Sequence, residues 1–196
     1  MKLLHLDSSA LGGYSVSRQL TADIVAQLKS QAPDLDVQYR DLAAQPLPHW
    51  APVADASDPA AVLGNLMLEE FQAADIVVIG APMYNFSISS QLKAWIDRVV
   101  VAGKTFQYTA NGPQGLAGGK QVIIASSRGG SYHNGPYAVM DFQESYLRSV
   151  LGFIGITQVE FVRAEGLAMG DEQKAQAMKS ARASLAGLTT QLADAA

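Results

Sequence analysis

The feature that most constrains the fold of this 196-residue chain is a fivefold alternation of short β-rich segments with segments of helical periodicity. The predicted strands are 2–6, 36–40, 75–80, 121–126 and 157–163, and the predicted helices are 17–29, 60–74, 88–102, 137–153 and 171–193. Such alternation predicts an α/β protein with a parallel sheet and helices on both faces, because the crossovers between parallel strands are right-handed.

At this length, five strands favour the flavodoxin-like order 2-1-3-4-5. A hydrophobic content of 48% is enough for one well-buried core, and we expect a single domain over residues 1–196. The proline-rich residues 42–58 are predicted to form a loop, and residues 105–108 a short excursion from the main pattern. In this order strands one, three and four are neighbours, so the loops at their carboxyl ends should converge on one ligand site.

Composition excludes several classes of site. The chain has no cysteine, which removes disulfides and thiolate chemistry, and its three histidines, His5, His49 and His133, are scattered, so no metal site is expected. A net charge of −4 without clustered Lys or Arg argues against nucleic acid as a partner. We find neither a membrane-spanning apolar run nor a signal peptide, so a cytoplasmic protein without membrane attachment is expected.

Loop one (residues 7–18) follows the first predicted strand and opens the first helix. Ser9, Ser15 and Ser17 supply hydroxyl groups where a helix N-terminus favours anions, and two glycines allow close backbone approach. One such serine is ordinarily a helix cap, but three exceed what a cap requires. Arg18 is a candidate electrostatic helper, although alone it is typical of a solvated first-turn residue. Because the loop has neither a dinucleotide nor a nucleoside-triphosphate motif, it favours a single monophosphate.

Loop two (residues 83–86, Met-Tyr-Asn-Phe) lies between the third strand and an amphipathic helix. Gly80 is expected to end that strand, and Pro82 to exclude ordinary strand pairing. Large apolar side chains in a loop at the carboxyl end of a strand suit a flat, apolar ligand with a polar edge. The alternative is a loop folded under the sheet to cap the core.

Loop three (residues 126–131, Ser-Ser-Arg-Gly-Gly-Ser) follows the fourth strand. Its two glycines allow a flat ring to lie against bare backbone, although an ordinary turn would look the same in isolation. A monophosphate at loop one and a flat heterocycle between loops two and three together describe FMN. No general base, nucleophile or metal ligand is evident, so we assign no catalytic side chain and expect the cofactor to supply the redox chemistry.

Six segments resemble the FMN-dependent NADH azoreductase and NAD(P)H quinone reductase family of bacteria. They are SSALGGYSVSR (8–18), PMYNFSISSQLKAWID (82–97), TFQYTANGPQGL (105–116), SRGG (127–130), LGFIGI (151–156) and VRAEGLAMG (162–170). The second and fourth segments in combination are specific to this family. Residues 49–68 match least, because members of the family often carry a longer insertion with basic residues there.

The resemblance implies a flavodoxin-like fold, a homodimer with one FMN per subunit, and a ping-pong reaction. NADH or NADPH would reduce the flavin, which would then pass two electrons to a quinone or an azo compound. By residue match, the phosphate ligands would be Ser9, Ser15, Val16 and Ser17, the ring ligands Met83, Tyr84, Asn85, Phe86, Ser127, Arg128, Gly129 and Gly130, and the substrate-pocket residues Tyr108 and Phe153. Phe153 would be contributed by the partner subunit.

The alternative function is that of a flavodoxin-type electron carrier without its own small-molecule substrate. Carriers of that type commonly surround the flavin with acidic residues, whereas the charge of this chain is mild. The excursion around Tyr108 indicates a covered pocket instead. A flavin-free interaction protein that kept the fold is the third alternative, since a fold does not determine a function.

Overall fold

Five parallel strands form the centre of the computed structural model, which describes residues 1–188. The strands of the chain are β1 (Lys2–Asp7), β2 (Asp36–Asp41), β3 (Ile76–Pro82), β4 (Phe106–Thr109), β5 (Gly112–Gly115), β6 (Gln121–Ser127) and β7 (Val159–Ala164). The helices are α1 (Val16–Gln31), α2 (Pro59–Ala73), α3 (Ser90–Val99), α4 (Phe142–Phe153) and α5 (Asp171–Leu185), with short 3-10 turns at Gly12–Tyr14 and Ala138–Met140.

The main sheet has the order β2-β1-β3-β6-β7, and all its strand pairs are parallel. The predicted flavodoxin-like α/β fold with a five-stranded parallel sheet is therefore confirmed. Strands β4 and β5 form a separate antiparallel hairpin at the predicted excursion. Because β1, β3 and β6 are neighbours in the sheet, the loops that follow them leave from the same edge.

Two apolar cores lie on opposite faces of the sheet. Leu20, Ile24 and Leu28 of α1 pack with residues of α5 on one face, and the other face is covered by α2, α3 and α4. Every residue of β3 is buried, as expected of a strand covered on both faces. On the second face Trp95 of α3 meets Phe71 of α2 edge to face, with 5.6 Å between ring centroids. Helices at each face thus hold the sheet and its loops in a fixed frame.

The expectation that β3 ends at Gly80 and cannot pair at Pro82 is wrong. Gly80 lies inside the strand, and a Cβ atom there would stand 2.6 Å from Oδ1 of Asp7, so the glycine permits a close approach to β1. Pairing with β1 stops at Gly80, whereas pairing with β6 continues to Pro82 opposite Ser127. On the β1 side there is no strand opposite Pro82, so the N–H group that proline lacks is not needed there for strand pairing.

Helix ends follow their caps more closely than their hydrophobic periodicity. α3 begins at Ser90 instead of 88 because Ser89 accepts a hydrogen bond from the Leu92 amide (3.2 Å). α4 begins at Phe142 instead of 137, because the Asp141 side chain accepts hydrogen bonds from the Gln143 and Glu144 amides. α5 is helical to Leu185, and residues 189–193 of the predicted final helix lie outside the described residues. None of the helices within residues 1–188 is long and apolar enough to cross a bilayer.

Candidate functional site

Loops one, two and three meet at the carboxyl edge of the sheet. The Tyr84 hydroxyl lies 3.2 Å from Oγ of Ser9 and accepts a hydrogen bond from the Ala10 amide (3.1 Å). The Met83 amide donates to the Ser127 carbonyl oxygen (2.8 Å). Loop two is thus bonded to both of the others, and the predicted convergence of three loops distant in sequence is present in the structure.

Loop one encloses its serine hydroxyls. Ser9, Ser15 and Ser17 are each at most 1% exposed, and Oγ of Ser15 lies 3.0 Å from Oγ of Ser17. Ser15 is the cap of α1, because its Oγ accepts a hydrogen bond from the Arg18 amide (3.3 Å). The amides of Val16 and Ser17 lie in the first helical turn, where α-helical geometry provides no carbonyl partner. Hydroxyl and amide donors therefore gather at the positive end of a helix, an arrangement suited to an anion.

Arg18 braces loop one from within the protein. Its guanidinium donates two hydrogen bonds of 2.6 Å to the carboxylate of Asp41, two to the Ser9 carbonyl oxygen and one to the Tyr39 hydroxyl. The hydrogen bonds from Arg18 lower the pKa of Asp41 to about 2, and burial raises the pKa of Tyr39 to about 12. With its donors used in this way, Arg18 holds the backbone at Ser9 and offers little uncompensated charge to a ligand.

Loop two is a tight turn with unusual backbone angles. Tyr84 and Ser87 exchange backbone hydrogen bonds of 2.9 and 3.1 Å. Between them Asn85 (φ 48°) and Phe86 (φ 71°) occupy the left-handed region, which is uncommon for asparagine and rare for a bulky aromatic residue. Strained residues of this kind cluster at ligand sites. Phe86 is 39% exposed at the same edge of the sheet.

The two glycines of loop three are more tightly surrounded by neighbouring residues than the sequence predicted, which expected bare backbone open to a ring. A Cβ atom at Gly130 would stand 3.1 Å from the ring of Tyr132, which also meets Phe86 edge to face at 6.0 Å. A Cβ atom at Gly129 would lie 3.4 Å from Cβ of Ala168. The carbonyl oxygens of both glycines accept hydrogen bonds from amides of the segment after β7. This segment therefore fixes the position of loop three.

Arg128 points into the protein and not toward the surface of loop three. Its side chain is fully buried and donates hydrogen bonds to Gln143 (2.9 Å), Glu165 (3.0 Å) and Glu144, with Asp141 at 2.9 Å. Sequence analysis missed these partners, because only the fold brings the start of α4 and the end of β7 beneath loop three. Glu165 also accepts hydrogen bonds from two amides that follow this loop. Arg128 therefore anchors loop three from below.

Tyr108 and Phe153 are not brought to these loops within one chain. Both pack on Phe106, with ring centroids at 5.5 and 4.6 Å, and Tyr108 is 76% exposed. The hairpin is held to the end of α4 by a hydrogen bond from the Ala117 amide to the Ile154 carbonyl oxygen (2.9 Å). Since α4 starts at the carboxyl edge and runs back along the sheet, this cluster lies at the amino edge, roughly 20 Å away along β6.

No set of three His, Asp or Glu side chains in the described part of the chain is arranged to hold a metal ion. The carboxyl edge carries hydroxyl and amide donors together with aromatic rings, a combination that suits an organic phosphate with a flat ring.

Residues 1–188 match a protein family described by its flavodoxin-like fold. The FMN-dependent NADH:quinone oxidoreductase of Methylocella silvestris is 60% identical over 194 residues, which cover 92% of this chain and 95% of that protein. An enzyme of the same name from Xanthomonas axonopodis pv. citri is 56% identical, with 100% of this chain and 99% of that protein covered.

Solved structures of azoreductases superpose closely on this chain. An azoreductase from Bacillus anthracis superposes with a TM-score of 0.88 at 28% identity, with 96% of this chain and 98% of that chain covered. An FMN-dependent NADH-azoreductase of the same organism, in complex with FMN, superposes with a TM-score of 0.85 at 23% identity over 97% of this chain and 100% of that chain, and supports the fold. The resemblance inferred from six segments is confirmed: the chain belongs to the flavodoxin-like family and, within it, to the FMN-dependent NADH:quinone oxidoreductases.

Proposed function

We propose that the chain is an FMN-dependent NAD(P)H oxidoreductase that passes two electrons to quinones and azo compounds by a ping-pong mechanism. The observation that carries this proposal is the convergence of loops one, two and three, joined by the hydrogen bonds of Tyr84 and Met83. The relatives named as FMN-dependent NADH:quinone oxidoreductases, at 56 to 60% identity, support the same activity.

The phosphate of FMN would be held at the start of α1. Ser9, Ser15 and Ser17 supply hydroxyl groups, and the amides of Val16 and Ser17 supply donors that the helix itself leaves unpaired. A buried amide without a partner is unfavourable, so an anion that accepts hydrogen bonds from these helix-start amides would be stabilised there. Two negative charges at this point would also interact favourably with the helix dipole.

The isoalloxazine ring would lie between loops two and three. Met83, Tyr84, Asn85 and Phe86 would face one side of the ring system, with Phe86 partly exposed for this contact. Ser127, Arg128, Gly129 and Gly130 would face its polar edge through the backbone, since the Arg128 side chain is directed inward. The anchors beneath the loop would keep these backbone groups fixed while the ligand binds and leaves.

When bound, FMN supplies the redox chemistry by accepting a hydride and passing on two electrons. This chain contributes position: loop one holds the phosphate, and loops two and three orient the ring and restrict water on its covered side. Because no side chain of the site is placed as a general base, we assign no catalytic residue. NADH is the donor in the names of the relatives, and we propose NADH or NADPH for this chain.

We further propose a homodimer in which each subunit completes the substrate pocket of the other. Tyr108 and Phe153 lie at the amino edge, about 20 Å from the three loops of their own chain. They can roof a flavin only if a second copy brings its hairpin to the carboxyl edge of the first. The exposed ring of Tyr108 supports such a contact.

The finer organisation is proposed on the same basis. Counting only the strands of the main sheet, we take the order to be 2-1-3-4-5 with helices on both faces, within a single domain of residues 1–196. A cytoplasmic enzyme would have direct access to reduced nicotinamide nucleotides.

Flavin content and turnover test the proposal. Protein incubated with FMN and desalted should be yellow, NADH should bleach the flavin band without oxygen, and a quinone should restore it with no additional reductase. Parallel initial-rate lines against NADH and quinone would establish the ping-pong order. Protein that remains colourless would refute the proposal, and flavin that NADH cannot reduce directly would favour the electron carrier.

A further inference from the structure

Arg98 is a buried arginine that forms no ion pair within the described part of the chain. The residue lies in α3 and is 6% exposed. Within residues 1–188, the other six arginines each have a carboxylate oxygen within 4.0 Å, and Arg98 has none. Its guanidinium donates one hydrogen bond, to the Ala94 carbonyl oxygen of its own helix (3.0 Å). Burying a charge without a counter-charge is unfavourable, so the position indicates an anion that the chain itself does not supply.

A cavity of about 420 Å³ adjoins Arg98, between α2, the end of α3 and residues 49–53. This volume lies in the range of small-molecule sites. Lys104 brings a second cation to the cavity, and His49 and Asn65 add polar groups, while Trp50 presents an indole ring that is 59% exposed. The remaining walls are small or apolar side chains. None of the lining residues belongs to loop one, two or three, so the cavity is separate from the proposed FMN site.

Two carboxylates near the cavity, Asp97 and Asp58, already have partners. Asp97 lines an adjacent cavity and pairs with Lys93 at 2.5 Å. Asp58, at the start of α2, caps the helix by accepting a hydrogen bond from the Ala60 amide (2.7 Å). Burial lowers the pKa of Arg98, and the charge of Asp97 opposes this effect only in part. The residues that line the cavity thus include two cations, Arg98 and Lys104, and no carboxylate.

We propose that this cavity binds a small organic acid, with one carboxylate on a flat apolar body. The planar guanidinium of Arg98 matches a carboxylate in two parallel hydrogen bonds, and Lys104 adds a second positive charge. The apolar walls and the indole of Trp50 suit an aromatic or alicyclic ring. The inference is independent of the proposed function, because it uses no residue of the FMN site.

Benzoate is a suitable probe, because it carries one carboxylate on one ring. Trp50 reports its arrival, since the chain has two tryptophans and the other, Trp95, is 1% exposed. Titration of the FMN-loaded protein with benzoate should change the tryptophan fluorescence saturably, with a Kd of about 1 mM or tighter. Benzamide has the same shape without the charge and should produce no saturable change. Isothermal titration calorimetry on a Trp50→Phe variant checks that binding does not depend on the reporter.

Three variants assign the binding to the cavity. Arg98→Met keeps most of the side-chain stem without the charge and should weaken benzoate about 10- to 100-fold, as expected for loss of a charged hydrogen-bond pair. Ala61→Leu should block the cavity by volume while leaving both cations in place. Arg182→Met, which removes a surface arginine paired with Asp23, is the matched control and should bind like the parent.

Several outcomes would overturn the proposal. They are the absence of saturable benzoate binding to the parent protein, equal binding by Arg98→Met, and equal binding of benzamide. A shift of Arg98→Met to a smaller species in gel filtration, with benzoate affinity unchanged, would instead assign the cation to a contact between copies. Circular dichroism confirms that each variant is folded before its affinity is interpreted.

Discussion

Tyr84→Phe tests whether a cross-link between two loops prepares the phosphate site before FMN arrives. The substitution removes one oxygen atom and keeps the ring. That hydroxyl joins loop two to Ser9 (3.2 Å) and to the Ala10 amide (3.1 Å) of loop one. In the variant, the Ser9 hydroxyl still accepts a hydrogen bond from the Leu11 amide, and the exposed Ala10 amide can bind water. The substitution therefore leaves no buried donor without a partner.

The expected magnitude follows from two hydrogen bonds of about 1 kcal/mol each, or about 1–2 kcal/mol in total. For a chain of this length, about 2–4 °C of melting temperature per kcal/mol predicts a decrease of about 2–8 °C for the FMN-free protein. If FMN must then fix loop one itself, the same free energy is lost from binding, which is about a 5- to 30-fold increase in Kd. The assays are differential scanning fluorimetry and titration of the FMN-free protein with FMN, followed by the quenching of flavin fluorescence.

Tyr14→Phe is the matched control, because Tyr14 is in the same loop and is 90% exposed. It should change neither quantity. A Tyr84→Phe protein with a lower melting temperature and an unchanged Kd for FMN would refute the reasoning, since the hydroxyl would then stabilise the fold without preparing the site. An equal loss of affinity in both variants would refute it as well.

Three further predictions concern other parts of the fold. Gly80→Ala should destabilise the protein by about 1–3 kcal/mol in urea unfolding, because its Cβ would stand 2.6 Å from Oδ1 of Asp7, whereas Gly13→Ala has no atom within 4 Å of its Cβ and should cost far less. Asp41→Asn should make the free energy of unfolding less sensitive to acid. In the parent protein the pKa of Asp41 is lowered to about 2, so its carboxylate stabilises the fold above the unfolded pKa of about 4, and this stabilisation is lost as the pH falls towards 2. Unfolding curves at a series of pH values with equal acid slopes for parent and variant would contradict this. Phe153→Ala should change the ratio of kcat/KM values across quinones and azo dyes more than it changes FMN retention, and an unchanged ratio would remove Phe153 from the pocket.

The sequence was sufficient for the sheet because its signals are local. Continuous apolar runs such as 76–79 identify strands buried on both faces, and adjacency of the first, third and fourth strands follows from the flavodoxin-like order. Convergence of the three loops was predictable for the same reason. The end of β3 was not, because a glycine that makes room for the Asp7 side chain has the same local signature as one that ends a strand.

Side-chain direction was the part that sequence could not provide. Arg18 and Arg128 both stand in loops predicted to bind FMN: Arg18 was a candidate electrostatic helper, and Arg128 was matched to a ring ligand of the family. The structure turns both away, toward carboxylates that reach them from β2, α4 and the segment after β7. These partners are 13 to 37 residues distant in sequence, and no local pattern marks them. Arg98 was not singled out, since its lack of a partner is visible only in three dimensions.

The two inward arginines suggest how the loops combine rigidity with a binding surface of neutral donors. Arg18 holds the Ser9 carbonyl oxygen, and Arg128 holds the start of α4 and Glu165 beneath loop three. An arginine on the surface of either loop would attract any anion, whereas hydroxyl groups and backbone amides select by geometry. Because Arg18 and Arg128 are already paired with carboxylates, the groups left at the carboxyl edge to bind a phosphate are those of the helix terminus, and those left to bind a ring are backbone and aromatic groups. In the proposed complex, the charges in these loops would therefore act on FMN through the backbone that they position.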